Sequence, residues 1–142
     1  TYILIPSTTS ENRRYIPLGF FKKDDIANNS CHTIPDGNLY HFGVLTSAMH
    51  MAWVRAVCGR LKSDFRYSKD IVYNNYPWPL NPENKQVKSI ELDNALDLAY
   101  RPQAFTREAN IMLFLFELYE KYTADLFTKE KVKKSRKNGK QV

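Results

Sequence analysis

The sequence is poor in cysteine and glycine and has no long apolar run. Its two cysteines, Cys31 and Cys58, are too few for a disulfide scaffold in 142 residues, and no ligand spacing around them suggests a metal site. The five glycines are scattered, so there is no glycine-rich phosphate loop. No segment has the length of a membrane span or the pattern of a secretory signal. The composition predicts a cytoplasmic protein with reduced thiols, no metal and no membrane contact.

The net charge of +6 is concentrated at one end of the chain. Residues 1–80 carry 9 basic and 6 acidic side chains, residues 81–128 carry 5 and 8, and residues 129–142 carry 7 and 1. The balances of the first two segments, +3 and −3, cancel, so the last segment alone accounts for the net charge. The basic pI is therefore no direct sign of nucleic-acid binding.

Short apolar runs and turn residues indicate strands and loops in the first part of the chain. Residues 2–5 and 15–21 predict strands, the second restricted to an edge or a bulge by Pro17. Residues 35–38, Pro-Asp-Gly-Asn, predict a turn, in which glycine permits a positive φ. Residues 71–73 predict a further short strand.

The helical part of the chain begins with one apolar stripe. Its residues recur at three- and four-residue spacing and predict a central helix that ends near Gly59: Leu45, Met49, Ala52, Trp53, Ala56 and Val57. A helical hairpin is expected beyond Pro82, and its second helix is apolar on all sides over residues 111–116, as in a buried or partner-contacting helix. Residues 129–142 are rich in lysine without apolar periodicity, which predicts disorder.

These patterns together predict an α+β fold. Short strands and loops surround a central helix, followed by a C-terminal helical hairpin and a disordered basic tail. The expected boundaries are a recognition domain over 1–80, a helical domain over 81–128 and the tail over 129–142. The chain begins at Thr1 without an initiator methionine, which suggests a piece of a longer protein.

No constellation of residues predicts catalysis by this chain. There is no Gly-x-Ser-x-Gly nucleophile elbow. An acid-x-Lys nuclease pattern would need Asp36 with Glu83 and Lys85, but these pieces lie far apart in the sequence, and coincidence explains them better. We therefore expect no catalytic residue and no metal ligand here.

The segment 55–69 is the strongest candidate for function, because basic and aromatic residues alternate in it. Arginine and lysine can neutralise phosphates or donate to guanine O6 and N7, and an aspartate can accept from cytosine N4. Lys62 and Asp64 are two residues apart, so in an extended segment both side chains face the same way and could read one G·C pair. Composition alone favours a solvated loop, in which Asp64 pairs with Lys62 or Arg66 for little energy.

Several long strings resemble the target-recognition region of MmeI-type enzymes, single-chain restriction–modification proteins and related adenine DNA methyltransferases. The strings that carry this resemblance are residues 39–53 and 59–68, then 15–20 and 73–79, and finally 99–101, 105–106 and 113–119, which are similar to the family's C-terminal helices. The resemblance extends over nearly all of residues 2–127. It implies that this chain docks on double-stranded DNA and selects the target site.

The resemblance also implies a division of labour. An upstream methyltransferase domain of the same chain would bind S-adenosylmethionine and methylate adenine N6 after flipping the base. Family members select one base pair with two residues spaced two apart, which here match Lys62, for guanine, and Asp64, for cytosine. Neighbouring DNA contacts are expected from Arg60, Arg66 and Lys69, and Ser30 is expected near a second reading position.

The family's full pattern is absent from this sequence. The adenine-methyltransferase signature Asn/Asp-Pro-Pro-Phe/Tyr is missing, as is a glycine motif for S-adenosylmethionine, so no cofactor is expected in this part of the protein. Two alternatives remain open at this point: an RNA-binding module, which basic and aromatic residues would also suit, and a structural or protein-interaction module.

Overall fold

Two small antiparallel sheets and three α-helices make up the described part of the chain. The computed structural model describes residues 1–79, 100–101, 103 and 105–138. The strands are β1 (Tyr2–Pro6), β2 (Thr8–Thr9), β3 (Gly19–Phe21), β4 (Cys31–Pro35), β5 (Gly59–Leu61) and β6 (Asp64–Arg66). The helices are α1 (Leu39–Leu45), α2 (Ala48–Val57) and α3 (Glu108–Asn138), and a π-helical turn spans Lys69–Tyr73. The mixture of sheets and helices confirms the predicted α+β class.

The first sheet has the order β3-β1-β4, with β1 at its centre. The strand predicted for residues 2–5 is present, and along it Ile3 and Ile5 are buried while their neighbours are partly exposed. Only Gly19–Phe21 of the predicted strand over 15–21 pairs with β1, and Ile16 is buried outside it. Pro17 has no N–H to donate to a ladder, which explains the shorter strand.

The second sheet has the order β2-β6-β5, and Ser7 joins it to the first. The Ser7 N–H donates to the carbonyl of Ser30, beside the first sheet, over 2.8 Å. The Ser7 carbonyl accepts from Tyr67 N–H, just beyond β6, also over 2.8 Å. One continuous segment, β1 followed by β2, therefore ties the two sheets together.

The predicted turn at 35–38 is present, but its residues have different roles from those expected. Asp36, not Gly37, has the positive φ, at 53°. A Cβ on Gly37 would lie 2.7 Å from side-chain carbons of Ile3, which is fully buried. Asn38 then caps α1, because its side chain accepts from the N–H groups of Tyr40 and His41. Glycine is thus required for close approach to β1.

We expect Gly37→Ala to destabilise the protein by about 1–3 kcal/mol, because the new methyl group overpacks the core at Ile3. Urea unfolding followed by tryptophan fluorescence measures the change. Gly59→Ala is the matched control, since a Cβ there lies 3.8 Å from its nearest neighbour, an ordinary contact. Equal stabilities of the two variants would contradict this account of Gly37.

The central helix is interrupted where the sequence predicted a continuous one. α1 ends at Leu45, and Ser47 caps α2 by accepting from His50 N–H. The Thr46 and Ser47 hydroxyls both donate to carbonyls of α1, and such local bonds compete with a continuous helix. α2 ends at Val57 with Cys58 as its cap, so Gly59 belongs to β5 instead.

Every residue from 49 to 54 in α2 is buried, which confirms a central helix. Trp53 is 2% exposed, and its indole N–H donates to the Val72 carbonyl over 3.0 Å. Val72 lies in the π-helical turn, so the prediction of a strand over 71–73 is wrong. The Ser68 cap and the bond from Asn74 N–H to the Lys69 carbonyl close that turn.

Helix α3 packs on α2. The Arg55 guanidinium pairs with Glu108 at 2.8 Å, and the Trp53 ring lies 5.5 Å from Phe116. Leu115 is fully buried, whereas Leu113 is 64% exposed, so the apolar segment is buried on one side only within the described residues.

The C-terminal part of the described chain is helical. The predicted first helix of the hairpin lies outside the described residues. Helix α3 extends to Asn138. The disorder predicted for residues 129–142 stays a prediction. Lysine, glutamate and arginine have high helix propensity, and no glycine or proline occurs within residues 108–138.

Candidate nucleic-acid interface

The β5–β6 hairpin carries most of the predicted site residues. Its register pairs Gly59 with Arg66, Arg60 with Phe65 and Leu61 with Asp64, which leaves a two-residue loop of Lys62 and Ser63. Lys62 lies in the left-handed region, with φ of 57°. Tight hairpin loops require such a conformation, and a residue other than glycine adopts it at a cost of about 1 kcal/mol.

The predicted geometry of Lys62 and Asp64 requires a correction. The segment is not extended at Lys62, because Lys62 forms the turn while Asp64 begins β6. Strand alternation therefore does not place their side chains on one face. The hairpin nevertheless places Lys62 at its exposed tip, directly before the strand that carries Asp64. The assignment of the pair to base reading remains a prediction.

The two faces of the hairpin differ in chemistry. Phe65 is 2% exposed and belongs to the core. Asp64 and Arg66 alternate with it along β6, so they lie on the opposite, outward face. Thr8 pairs with Arg66 from β2 and is exposed on that face. Leu61, opposite Asp64, is 50% exposed. The outward face thus offers donors, an acceptor and one apolar contact.

Arg60 makes three contacts within the protein, and its side chain is 42% exposed. Its guanidinium lies 4.0 Å from the centre of the Phe65 ring and donates to the Ser63 carbonyl over 2.9 Å. It also pairs with Glu11 at 3.6 Å. The negative face of the aromatic ring attracts the positively charged guanidinium. All three contacts therefore stabilise one orientation of the Arg60 side chain.

Ser30 lies at the junction of the two sheets. Its carbonyl accepts from Ser7 N–H, and its hydroxyl donates to Asn28 Oδ1 over 2.6 Å. Because Thr8 pairs with Arg66, Ser30 and Arg66 flank the same continuous segment from opposite sides. The expected role of Ser30 near a second reading position stays a prediction.

Lys69 lies at the edge of a separate cleft of about 410 Å³. Cys31, His32 and Tyr67 also line this cleft, and His32 Nε2 lies 3.1 Å from the Tyr67 carbonyl oxygen. Cys31 follows Ser30 directly in the sequence, so one side of the cleft lies next to the sheet junction. Lys69 is exposed and adds a positive charge to this side of the protein.

Buried polar groups lie away from this surface. His50 is fully buried, its Nε2 lies 3.1 Å from the Tyr67 hydroxyl, and burial lowers its pKa to about 3. Burial also raises the pKa of Tyr67 and of the Cys58 thiol. In the part of the chain that the structure describes, no group of three His, Cys, Asp or Glu residues is placed to hold a metal. No helix among these residues combines the length and apolarity of a membrane span.

Sequence reasoning missed Glu11 and Thr8. Both contact residues that are distant in sequence. Thr8 pairs with Arg66 between strands β2 and β6, and Glu11 forms an ion pair with Arg60 of β5. The two-residue strand β2 is too short to give a periodic signal.

Comparisons with known proteins place the chain in a family. Residues 1–80 match the family model described as the MmeI target recognition domain. The match extends over more than half of the chain, which therefore belongs to this family. The resemblance seen in the sequence is confirmed.

Two relatives show how much of a longer protein this chain represents. DNA methyltransferase A of Bacillus subtilis (strain 168) is 51% identical over 77 residues, which are 54% of this chain and 9% of that protein. The solved structure of the type IIL restriction–modification enzyme MmeI in complex with DNA is similar at a TM-score of 0.78 and 36% identity. That similarity extends over 87% of this chain and 21% of the MmeI chain. The chain spans a small part of either relative.

Proposed function

We propose that this chain reads the sequence of duplex DNA for an adenine-N6 DNA methyltransferase, which in some forms also carries a nuclease. The observation that carries the proposal is the β5–β6 hairpin, which exposes Lys62 at a tight tip and has the half-buried Asp64 and the exposed Arg66 on its outward face. A two-stranded ribbon fits the major groove, which is about 12 Å wide. Membership of the target recognition family supports the same reading.

Each side chain at the tip has a chemical role in this proposal. Lys62 donates to O6 or N7 of guanine, and Asp64 accepts from N4 of the paired cytosine. Arg66 donates to a phosphate or a neighbouring base, with Thr8 beside it as a weaker donor. Lys69 and Ser30 contact DNA outside the base pair that Lys62 and Asp64 read. We assign Arg60 a different role below.

Catalysis is assigned to the rest of the enzyme. An upstream methyltransferase domain of the same chain would hold S-adenosylmethionine, which supplies the methyl group. The present sequence lacks both its glycine motif and the Asn/Asp-Pro-Pro-Phe/Tyr signature. The relatives are much longer than this chain, which leaves room for such a domain.

Competition binding tests the nucleic-acid class. The 142-residue chain should bind labelled duplex DNA at low salt, and unlabelled duplex should displace it better than single-stranded RNA of equal length. Because phosphate contacts release counterions, affinity should fall by about a thousandfold or more between 50 and 200 mM salt if roughly six phosphates are contacted. Preferential displacement by RNA would favour the RNA-binding alternative. Self-association without salt-dependent DNA binding would favour an interaction module, for which the exposed Leu113 would be a contact.

A further inference from the structure

We propose that Arg60 is a positioning residue that fixes the reading loop and makes no contact with DNA itself. This inference rests on the proposed function. Arg60 pairs with Phe65 across the hairpin, and residues directly opposite in an antiparallel pair project to the same face. Arg60 therefore lies on the core side, whereas Asp64 and Arg66 lie on the outward side.

The contacts of Arg60 all act on the loop and its base. The bond to the Ser63 carbonyl fixes the second loop residue, directly between Lys62 and Asp64. The stacking on Phe65 anchors the guanidinium to the core, and the pair with Glu11 ties it to the segment after β2. The clamp formed by Arg60, Ser63, Phe65 and Glu11 holds Lys62 in its left-handed conformation before DNA arrives. Such preorganisation reduces the ordering cost of binding and fixes the distance between donor and acceptor.

A phosphate contact by Arg60 would require the loss of these bonds. The guanidinium cannot reach the groove-facing side while it stacks on Phe65 and donates to Ser63. The two roles give different signatures, because phosphate contacts set the salt dependence of affinity and a positioned loop sets the discrimination between sequences.

The test uses the complete enzyme that carries this chain. Mapping methylated adenines first identifies the target, and the absence of any motif would overturn the proposed function itself. With the target known, affinity is measured for the target duplex and for a duplex altered at the base pair assigned to Lys62 and Asp64, over a range of salt. The variants are Arg60→Met, which keeps the packing stem, and Arg60→Lys, which keeps the charge. Arg66→Met is the comparison variant, because Arg66 is proposed to contact DNA.

For Arg60→Met we expect discrimination between the two duplexes to fall about tenfold, while the salt slope stays unchanged. Arg60→Lys should not rescue discrimination, because an ammonium cannot stack on Phe65 and bridge Ser63 and Glu11 in the same way. For Arg66→Met at a phosphate, the slope should fall by about 0.9 with discrimination largely retained. A slope that falls for Arg60→Met, rescue by Arg60→Lys, or unchanged discrimination would each overturn the proposal.

Glu11→Gln keeps the test available if Arg60→Met does not fold, since Glu11 is 44% exposed. Positioning through Arg60 predicts about a two- to threefold loss of discrimination. If Arg60 instead contacts phosphate, removal of its competing partner Glu11 would tighten binding to both duplexes equally, and that result would overturn the inference.

Discussion

Exchanging the charges of Lys62 and Asp64 is expected to change the base pair that the enzyme prefers at one position of its target. In the double variant Lys62→Glu with Asp64→Arg, the acceptor takes the place of the donor, so the preferred pair should change from G·C to C·G. Each well-placed contact contributes about 1–3 kcal/mol of discrimination, so preference for the original pair should fall by about 10- to 100-fold. Sequencing of the methylated DNA measures this change in the preferred base pair.

A matched control separates this effect from a general change in charge. Lys22 and Asp24 are also two residues apart and exposed. They follow β3, beside the first residues of β1, whereas the β5–β6 hairpin pairs with β2, which follows the last residue of β1. Lys22→Glu with Asp24→Arg should leave the methylated motif unchanged. An unchanged motif in the Lys62 and Asp64 variant as well would show that these residues do not read bases.

Acid is expected to destabilise the fold through His50. Its pKa is about 3 in the folded protein because burial disfavours the charged imidazolium, compared with about 6.5 in an unfolded chain. Between these values the unfolded state binds a proton that the folded state does not. The free energy of unfolding should therefore fall as pH drops from about 6.5 toward 3, by up to about 1.4 kcal/mol per pH unit.

The matched variant for this prediction is His50→Gln, which has no titrating group but can still bond to the Tyr67 hydroxyl. Wild type and variant share all other titrating groups, so the difference between their pH profiles isolates His50. Urea unfolding at pH 7, 6, 5 and 4 should show a steeper loss for the wild type. Parallel profiles would contradict the assignment of this pH dependence to His50.

Local sequence patterns predicted the elements whose structure depends on nearby residues. A short apolar run predicted β1, and the stripe containing Met49 and Trp53 predicted the central helix α2. Elements of this kind can be predicted because the apolar residues that they bury are close to one another in the sequence, in a run or at regular spacing.

The structure of the β5–β6 hairpin was only partly predictable. The basic and aromatic composition of residues 55–69 drew attention to the segment that contains this hairpin, but it did not reveal the turn at Lys62. Without Asn-Gly or Asp-Gly at the loop, the usual signal for a tight hairpin is missing, and Lys62 adopts a conformation that its residue type disfavours. The tertiary contacts of Arg60 with Phe65 and Glu11 hold that conformation, and such contacts leave no local pattern.

The central claim, that this chain selects a DNA sequence, is tested most directly by selection from a library. The 142-residue chain is mixed at low salt with duplexes that contain a randomised segment, and the bound fraction is sequenced over several rounds. We predict enrichment of one motif with a strongly preferred G·C pair, and loss of the preference at that pair alone in the variant Lys62→Gln with Asp64→Asn. Recovery of random sequences at every round would contradict the claim.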